Sequence, residues 1–286
     1  MKQVTRASGE SRLGKTRQHL SDQPALPRGV LNPRDSAKRI QVWRYPVSER
    51  FSAFLDHHWV IEWNLTGQEP QEQCVLPSPH AHLVVSPRET ALFGVVRGVE
   101  ARRLDGRGRA FGLRFRAGGL RPFLTGPVAA LTGRRVSAAI VTGQDDATLE
   151  AAILGCECHE AMIRAAEAVL EPRLPAPDRT VELISSIIAT IRHDGGPRRA
   201  EALAGAFGMS LRTLQRLFCE YVGVSPKWTI RRYRLQEAQY LLARSDEIPL
   251  AALASDLGYF DQAHLAGDFR RLFGCAPAQY RDRQKS

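Results

Sequence analysis

The chain lacks any apolar run approaching the ~18–20 residues that a bilayer-spanning helix needs. Its first residues hold no apolar stretch of the signal-peptide kind, so the expected place is the cytoplasm. Cysteine is scarce and unordered: Cys74, Cys156, Cys158, Cys219 and Cys275 make an odd set of five with no framework spacing. A disulfide scaffold is not implied, and a reducing compartment fits. Acidic residues are in short supply, with 30 Asp and Glu against 40 Lys and Arg, for a net charge of +10. The excess sits at the ends. Residues 1–39 carry nine Lys/Arg against three Asp/Glu, residues 40–178 fifteen against sixteen, and residues 179–286 sixteen against eleven. Two basic ends around a near-neutral middle suit a polyanionic partner.

Catalytic and metal-binding patterns are also incomplete. Gly9, Gly14, Lys15 and Thr16 satisfy the spacing of a phosphate-binding loop. That loop works only between a buried strand and a helix. Here a polar stretch precedes it, and Pro24 cuts short the segment after it. Cys156, Cys158 and His159 form a Cys-x-Cys-His cluster without a second pair at zinc-finger spacing. They read as small apolar residues at or near a helix start. No metal and no cofactor is expected.

What the chain does contain is one template written twice, about 50 residues apart. The first copy runs Leu203, Ala204, Phe207, Gly208, Ser210, Leu214, Phe218, Gly223, Pro226; the second runs Leu253, Ala254, Leu257, Gly258, Asp261, Leu265, Phe269, Gly274, Pro277. Each reads as a short helix, a glycine turn and a second helix capped by Ser or Asp. The apolar positions recur at helical spacing and bury the inner faces. Such a helix-turn-helix, repeated on a basic background, points to duplex DNA. On the second helix of the first copy, Arg212, Thr213, Gln215 and Arg216 are left outward. Arginine reads guanine and glutamine reads adenine in the major groove, so these four are the expected base readers, joined by Gln262 and His264 in the second copy. Ser210, Lys227, Arg231, Arg232 and Arg270 are the expected phosphate contacts. Arg234 is expected in a structural pair with Glu237 or Asp256.

The rest of the chain divides around the repeat. Residues 1–39 are polar, basic and broken by prolines, and read as a disordered tail. Short β-like runs appear at 59–63, 82–85, 92–96 and 111–115, with helical patterns at 118–124 and 149–170. Trp59 and Trp63, four apart in such a run, are expected on one sheet face. Residues 172–178 form a proline-rich linker between a β-rich region, 40–171, and an all-helical region, 179–286. The fold class is α+β. The two helix-turn-helix units fall at about 200–222 and 250–273, joined by a helix from 226 to about 244, which at 1.5 Å per residue spans roughly 28 Å. That length sets two recognition helices on one side of the duplex, about 34 Å apart in successive major grooves.

The stretch Ser210 to Phe218, then Gly223-Val-Ser-Pro226 and Arg234-Leu-Gln-Glu-Ala238, resembles the AraC/XylS family of bacterial transcription regulators. So does Gly258-Tyr-Phe-Asp-Gln-Ala-His264, together with Phe269-Arg270, Gly274, Pro277 and Tyr280-Arg281. The resemblance covers about residues 179–283. It implies binding to promoter DNA and work with RNA polymerase. It also implies an N-terminal domain that senses a small-molecule effector or forms a homodimer, often as a cupin-like β-barrel. The middle region, through 75–85, 104–109 and 112–123, is similar to the N-terminal domain of a subset of these regulators. Three departures stand out: Gly267 where Arg or Lys is common, Leu265 where Phe is common, and Ala276 where Ser or Thr precedes proline. The first unit is therefore expected to carry most base readout, and the second to grip the backbone.

The competing reading is a cupin-like metal-dependent enzyme domain fused to a DNA-binding anchor. His57, His58, His80 and His82 would be its ligands, but His80-x-His82 lacks a partner carboxylate.

Overall fold

The structure is a computed structural model that describes residues 40–193, 195–244 and 248–283. The basic tail and the Gly9–Thr16 motif lie outside the described residues.

The first region is built on strands β1 (Ile40–Tyr45), β2 (Leu55–Leu65), β3 (Gln71–Val75), β4 (His82–Val85), β5 (Ala91–Phe93), β6 (Glu100–Leu104), β7 (Gly106–Phe115) and β8 (Arg135–Val136). Six of them form an antiparallel sheet in the order β1-β2-β7-β4-β5-β8, and β3 and β6 pair as a separate ribbon. One sheet face carries Val60, Leu83, Val85, Phe111 and Leu113, all fully buried. Against it pack α2 (Asp146–Leu154) and α3 (His159–Leu170), which come after a one-turn helix, α1 (Ala139–Thr142). The helical pattern expected over 149–170 is thus interrupted. Gly155 ends α2, and Cys158 stands at the N-cap of α3.

The arrangement of the other sheet face rests on two cross-strand pairs. Trp59 lies opposite Gly112 and Trp63 opposite Gly108. A Cβ at Gly112 would come within 2.0 Å of the Trp59 ring, and one at Gly108 within 2.3 Å of Trp63. Each indole therefore lies across the strand where its partner has no side chain, and the two tryptophans share a face as their spacing predicts. At the end of that face, His57, Arg114 and His82 stand in one row across β2, β7 and β4.

The helical region begins with α4 (Arg179–Arg192), capped by Asp178, whose side chain accepts from Thr180 N–H. The first helix-turn-helix is α5 (Ala200–Ala206) and α6 (Leu211–Leu217), continued by a wider π turn at Phe218–Val222. The long connector, α7 (Pro226–Arg244), has the 19 residues read from the sequence. The second unit is α8 (Leu250–Asp256) and α9 (Gln262–Phe273), with α10 (Pro277–Arg283) after it. The turn glycines, Gly208 and Gly258, have φ of +62° and +69°, where a Cβ is penalised.

The β-rich and helical regions share their cores. Val95 and Ala117 are buried in one cluster with Ile184, Ile187, Leu203, Leu214 and Phe218 of the first unit. Leu76 is buried with Leu235, Leu253, Leu257, Leu265 and Phe269 of the second. Polar contacts cross the same boundary: Arg121 Nε donates to Glu220 Oε1 at 2.6 Å, and Thr132 Oγ1 to the Gly223 carbonyl at 2.5 Å.

Candidate nucleic-acid interface

Both second helices start in the same way. Ser210 Oγ accepts from Thr213 N–H at 3.1 Å, and Asp261 Oδ1 accepts from His264 N–H at 2.7 Å. Each cap fixes the first turn and the direction of the side chains after it. Leu214 and Phe218 in the first unit, and Leu265 and Phe269 in the second, are fully buried, which turns the opposite helix face outward.

On α6 that outward face holds Arg212, Gln215 and Arg216, all exposed. Thr213 is half-buried, and its hydroxyl lies 3.0 Å from Ser210 Oγ. Ser210 and Thr213 are thus bound to each other and to the helix start, which positions the three long side chains. On α9, Gln262 and His264 are exposed. The His264 ring stands edge-on to Tyr259 at 5.1 Å.

Aligning the two caps shows what the second copy has given up. Arg212, Gln215 and Arg216 correspond to Ala263, Ala266 and Gly267. A Cβ at Gly267 would meet nothing within 4 Å, so packing does not require glycine there. The face is small and smooth, with Arg270 exposed at one flank. One residue not anticipated from the sequence joins it: Phe260, immediately before the Asp261 cap, is 93% exposed. Its place ahead of the cap was the available signal.

The expected phosphate contacts separate. Lys227 and Arg270 are exposed. Arg231 is turned toward Asp268, with Nη1 3.6 Å from Oδ1. Arg232 requires a correction. It is 6% exposed, and its Nε donates to the Pro77 carbonyl of the β3–β4 loop. A guanidinium closed in between two regions of its own chain does not meet a duplex. Arg234 is structural but with other partners than expected. It donates to the Leu257 carbonyl and lies 4.5 Å over the Tyr259 ring, while Glu237 pairs with Arg198 at 3.0 Å.

The histidines of the sheet are engaged one by one. His80 Nδ1 donates to the Phe115 carbonyl at 3.2 Å and its Nε2 accepts from Arg114 at 3.1 Å, the pattern of a neutral ring. Burial and the Arg114 charge push His80 well below the usual histidine range and His82 down to about 3. Burial also lowers His57, against the hydrogen bond to Asp56 that raises it. Burial would raise Asp56, but its bond to His57 and the Arg114 charge 3.0 Å away hold it below the ordinary carboxylate range. His58 Nε2 faces Glu167 Oε1 at 3.0 Å. Among the described residues, no group of three or more His, Cys, Asp or Glu is placed to hold an ion. No described helix is long and apolar enough to cross a membrane.

Two segments of the chain match known families. Residues 203–283 match a family described as a helix-turn-helix domain, and residues 44–137 match a domain of unknown function, DUF6597. The HTH-type transcriptional activator RhaS of Escherichia fergusonii is 38% identical over 81 residues, 28% of this chain and 29% of that protein. The HTH-type transcriptional regulator ExsA of Pseudomonas aeruginosa is 37% identical over 75 residues, 26% of this chain and 27% of that protein. The chain thus spans less than a third of the length of these curated relatives. Among solved structures, the DNA-binding domain of AdpA in complex with a target DNA is 30% identical, covering 38% of this chain and 94% of that one, with a TM-score of 0.32.

Proposed function

We propose, on the premise that residues 203–283 are a helix-turn-helix domain of the AraC type, that this chain is a sequence-specific transcription regulator acting on promoter DNA. The observation that carries the reading is the pair of side-chain-capped helices, α6 and α9, each with its apolar face buried and its other face free. The readers are unequal. Arg212, Gln215 and Arg216 on α6 supply directional donors and acceptors for base edges. The small face of α9 lets the helix lie close to the duplex, with Gln262, His264 and Phe260 at its tip. Lys227 and Arg270 supply the backbone grip, which is sequence-independent and salt-dependent.

Residues 40–171 form the sensing or dimerising region, 172–178 the linker and 179–286 the DNA-binding region of this reading. RNA polymerase is the partner of a promoter-bound activator, and the bacterial cytoplasm, at the nucleoid, is its place. The regulator reading is preferred to the catalytic alternative because His57 is engaged by Asp56, His58 by Glu167, and His80 by the Phe115 carbonyl and Arg114.

The test is selection of bound duplexes from a random pool by the full chain at moderate ionic strength. A defined motif should emerge. Arg216→Ala should then erase the preference at one base pair, at a cost of about 1–3 kcal/mol. Lys227→Ala should weaken all sequences alike and lower the salt slope by about one unit. A pool with no enriched motif, or equal loss of preference from alanine at Gln262 and at Arg216, would overturn the assignment.

A further inference from the structure

A cleft of about 140 Å³ opens where three parts of the chain meet. The connector α7 supplies one wall, with Trp228, Arg231, Arg232 and Leu235 on a single helix face. The helix α9 supplies Asp268 and Arg271, and the β-rich region closes the cleft with Pro77 and Arg97. Four guanidinium groups therefore line a small space that holds one carboxylate.

The carboxylate does not neutralise them. Asp268 is 6% exposed, and only Oδ1 is engaged, 3.1 Å from Arg271 Nη1 and 3.6 Å from Arg231 Nη1. Arg232 is also 6% exposed. Its Nε donates to Pro77, while its Nη1 is buried with no acceptor among the described residues. A buried, charged donor without an acceptor costs stability, and the fold has kept it in the wall of a cleft. Arginine in that position matches the planar oxyanion geometry of carboxylate and phosphate.

We propose that this cleft binds a small organic oxyanion, a carboxylate or phosphate head on a compact apolar body. The head lies among Arg97, Arg232 and Arg271, and the body lies against Trp228 and Leu272. The volume is below the roughly 300–1,000 Å³ of drug-sized sites, so the body is of the size of one ring or a short branched chain. Duplex phosphates are the poorer match. Positions 268 and 272 lie on the buried flank of α9, whereas Gln262, Ala263, Gly267 and Arg270 lie on its outer arc. A ligand in the cleft touches the β-rich region, the connector and the second recognition helix together. On the regulator reading above, on which this clause alone rests, occupancy shifts how the two helices meet DNA.

The site is tested without DNA, by calorimetric titration of the full chain at constant ionic strength with benzoate, phenyl phosphate and inorganic phosphate. At least one aromatic anion should saturate at one per chain and bind ten-fold or more tightly than inorganic phosphate; which one does so identifies the head. Arg97→Gln and Arg271→Gln, both at exposed positions, should each weaken it about ten-fold while near-UV circular dichroism stays native, and Arg283→Gln should not weaken it. Arg232→Met should abolish it, with near-UV circular dichroism confirming a native chain. No saturable binding, binding indifferent to Arg97 and Arg271, or inorganic phosphate binding as tightly as the aromatic anions would each overturn the proposal. A second arm measures affinity for the selected duplex with and without the bound anion; a change of five-fold or more is expected, and none would sever the site from regulation while leaving its existence decided by the first arm.

Discussion

At the scale of single residues, the caps and the turn glycines were readable, because each has a local cause. Ser210 and Asp261 accept from the backbone N–H three residues on, and Gly208 and Gly258 take positive φ. The fate of arginines was not readable. Arg231, Arg232 and Arg234 lie close together on α7 and look alike in sequence. One pairs with Asp268, one is enclosed by Pro77 and one stacks on Tyr259. Which way a long side chain turns is decided by the region that packs on the helix, not by the helix itself. Gly267 gives a clean test at this scale. Its Cβ direction is open and it lies within α9, so Gly267→Ala should stabilise the protein by about 1 kcal/mol, read from chemical denaturation. Gly267→Arg should tighten duplex binding and steepen its salt dependence by about one unit. A loss of stability on alanine substitution would show that glycine is needed for a reason the packing does not reveal.

At the scale of elements, the helices of the repeat were found within a residue or two, because apolar spacing and capping act within one element. The sequence runs mark four of the eight strands, β4 with its exact bounds and β2, β5 and β7 with others, while β1, β3, β6 and β8 carry no such run. β2 extends from Leu55 to Leu65, well past the run at 59–63, because His57, His58 and Asn64 pair with β7 as readily as their apolar neighbours. The last helix shows how the chain compensates for a missing cap. α7 starts under Ser225, whose Oγ accepts from Trp228 N–H at 3.2 Å. At the matching place before α10 stands Ala276, and there Gln279 Oε1 reaches back to accept from Ala276 N–H at 3.1 Å. Ala276→Ser should therefore add about 0.5–2 kcal/mol, seen as a raised urea midpoint at unchanged slope. Gln279→Ala should lower the midpoint, and less so in the serine background.

At the scale of the whole molecule, the sharing of cores was invisible in the sequence, because the contacts of Leu76 and Val95 are long-range and nothing local marks them. Leu76→Ala removes a buried side chain from the core of the second helix-turn-helix unit, although it lies about 160 residues upstream of Leu235. It should cost about 2–5 kcal/mol by chemical denaturation. It should also loosen α8 and α9, seen as faster amide exchange there. The row of His57, Arg114 and His82 sets a pH dependence for the same assembly. In the unfolded chain, a histidine takes its proton near 6.5; folded His82 does not until about 3. The stability conferred by the neutral ring is complete above pH 6.5 and drains as the pH falls toward 3. His57 and His80 are shifted in the same direction, and Asp56 extends the trend to lower pH. Urea midpoints should drop between pH 7 and 5, and His82→Asn should flatten that drop.

The segment 76–80 gives these scales a common thread. Leu76 is anchored under the second helix-turn-helix unit, Pro77 holds Arg232 of the connector, and His80 is tethered to Arg114 within the sheet. A disturbance among the sheet's histidines can cross this short bridle to the rod between the two helix-turn-helix units, alongside the contacts that Val95, Ala117 and Thr132 make with the first of them. Compensating changes for a damaged sheet interior would thus be sought along the bridle and its grip on the rod, far from any base pair.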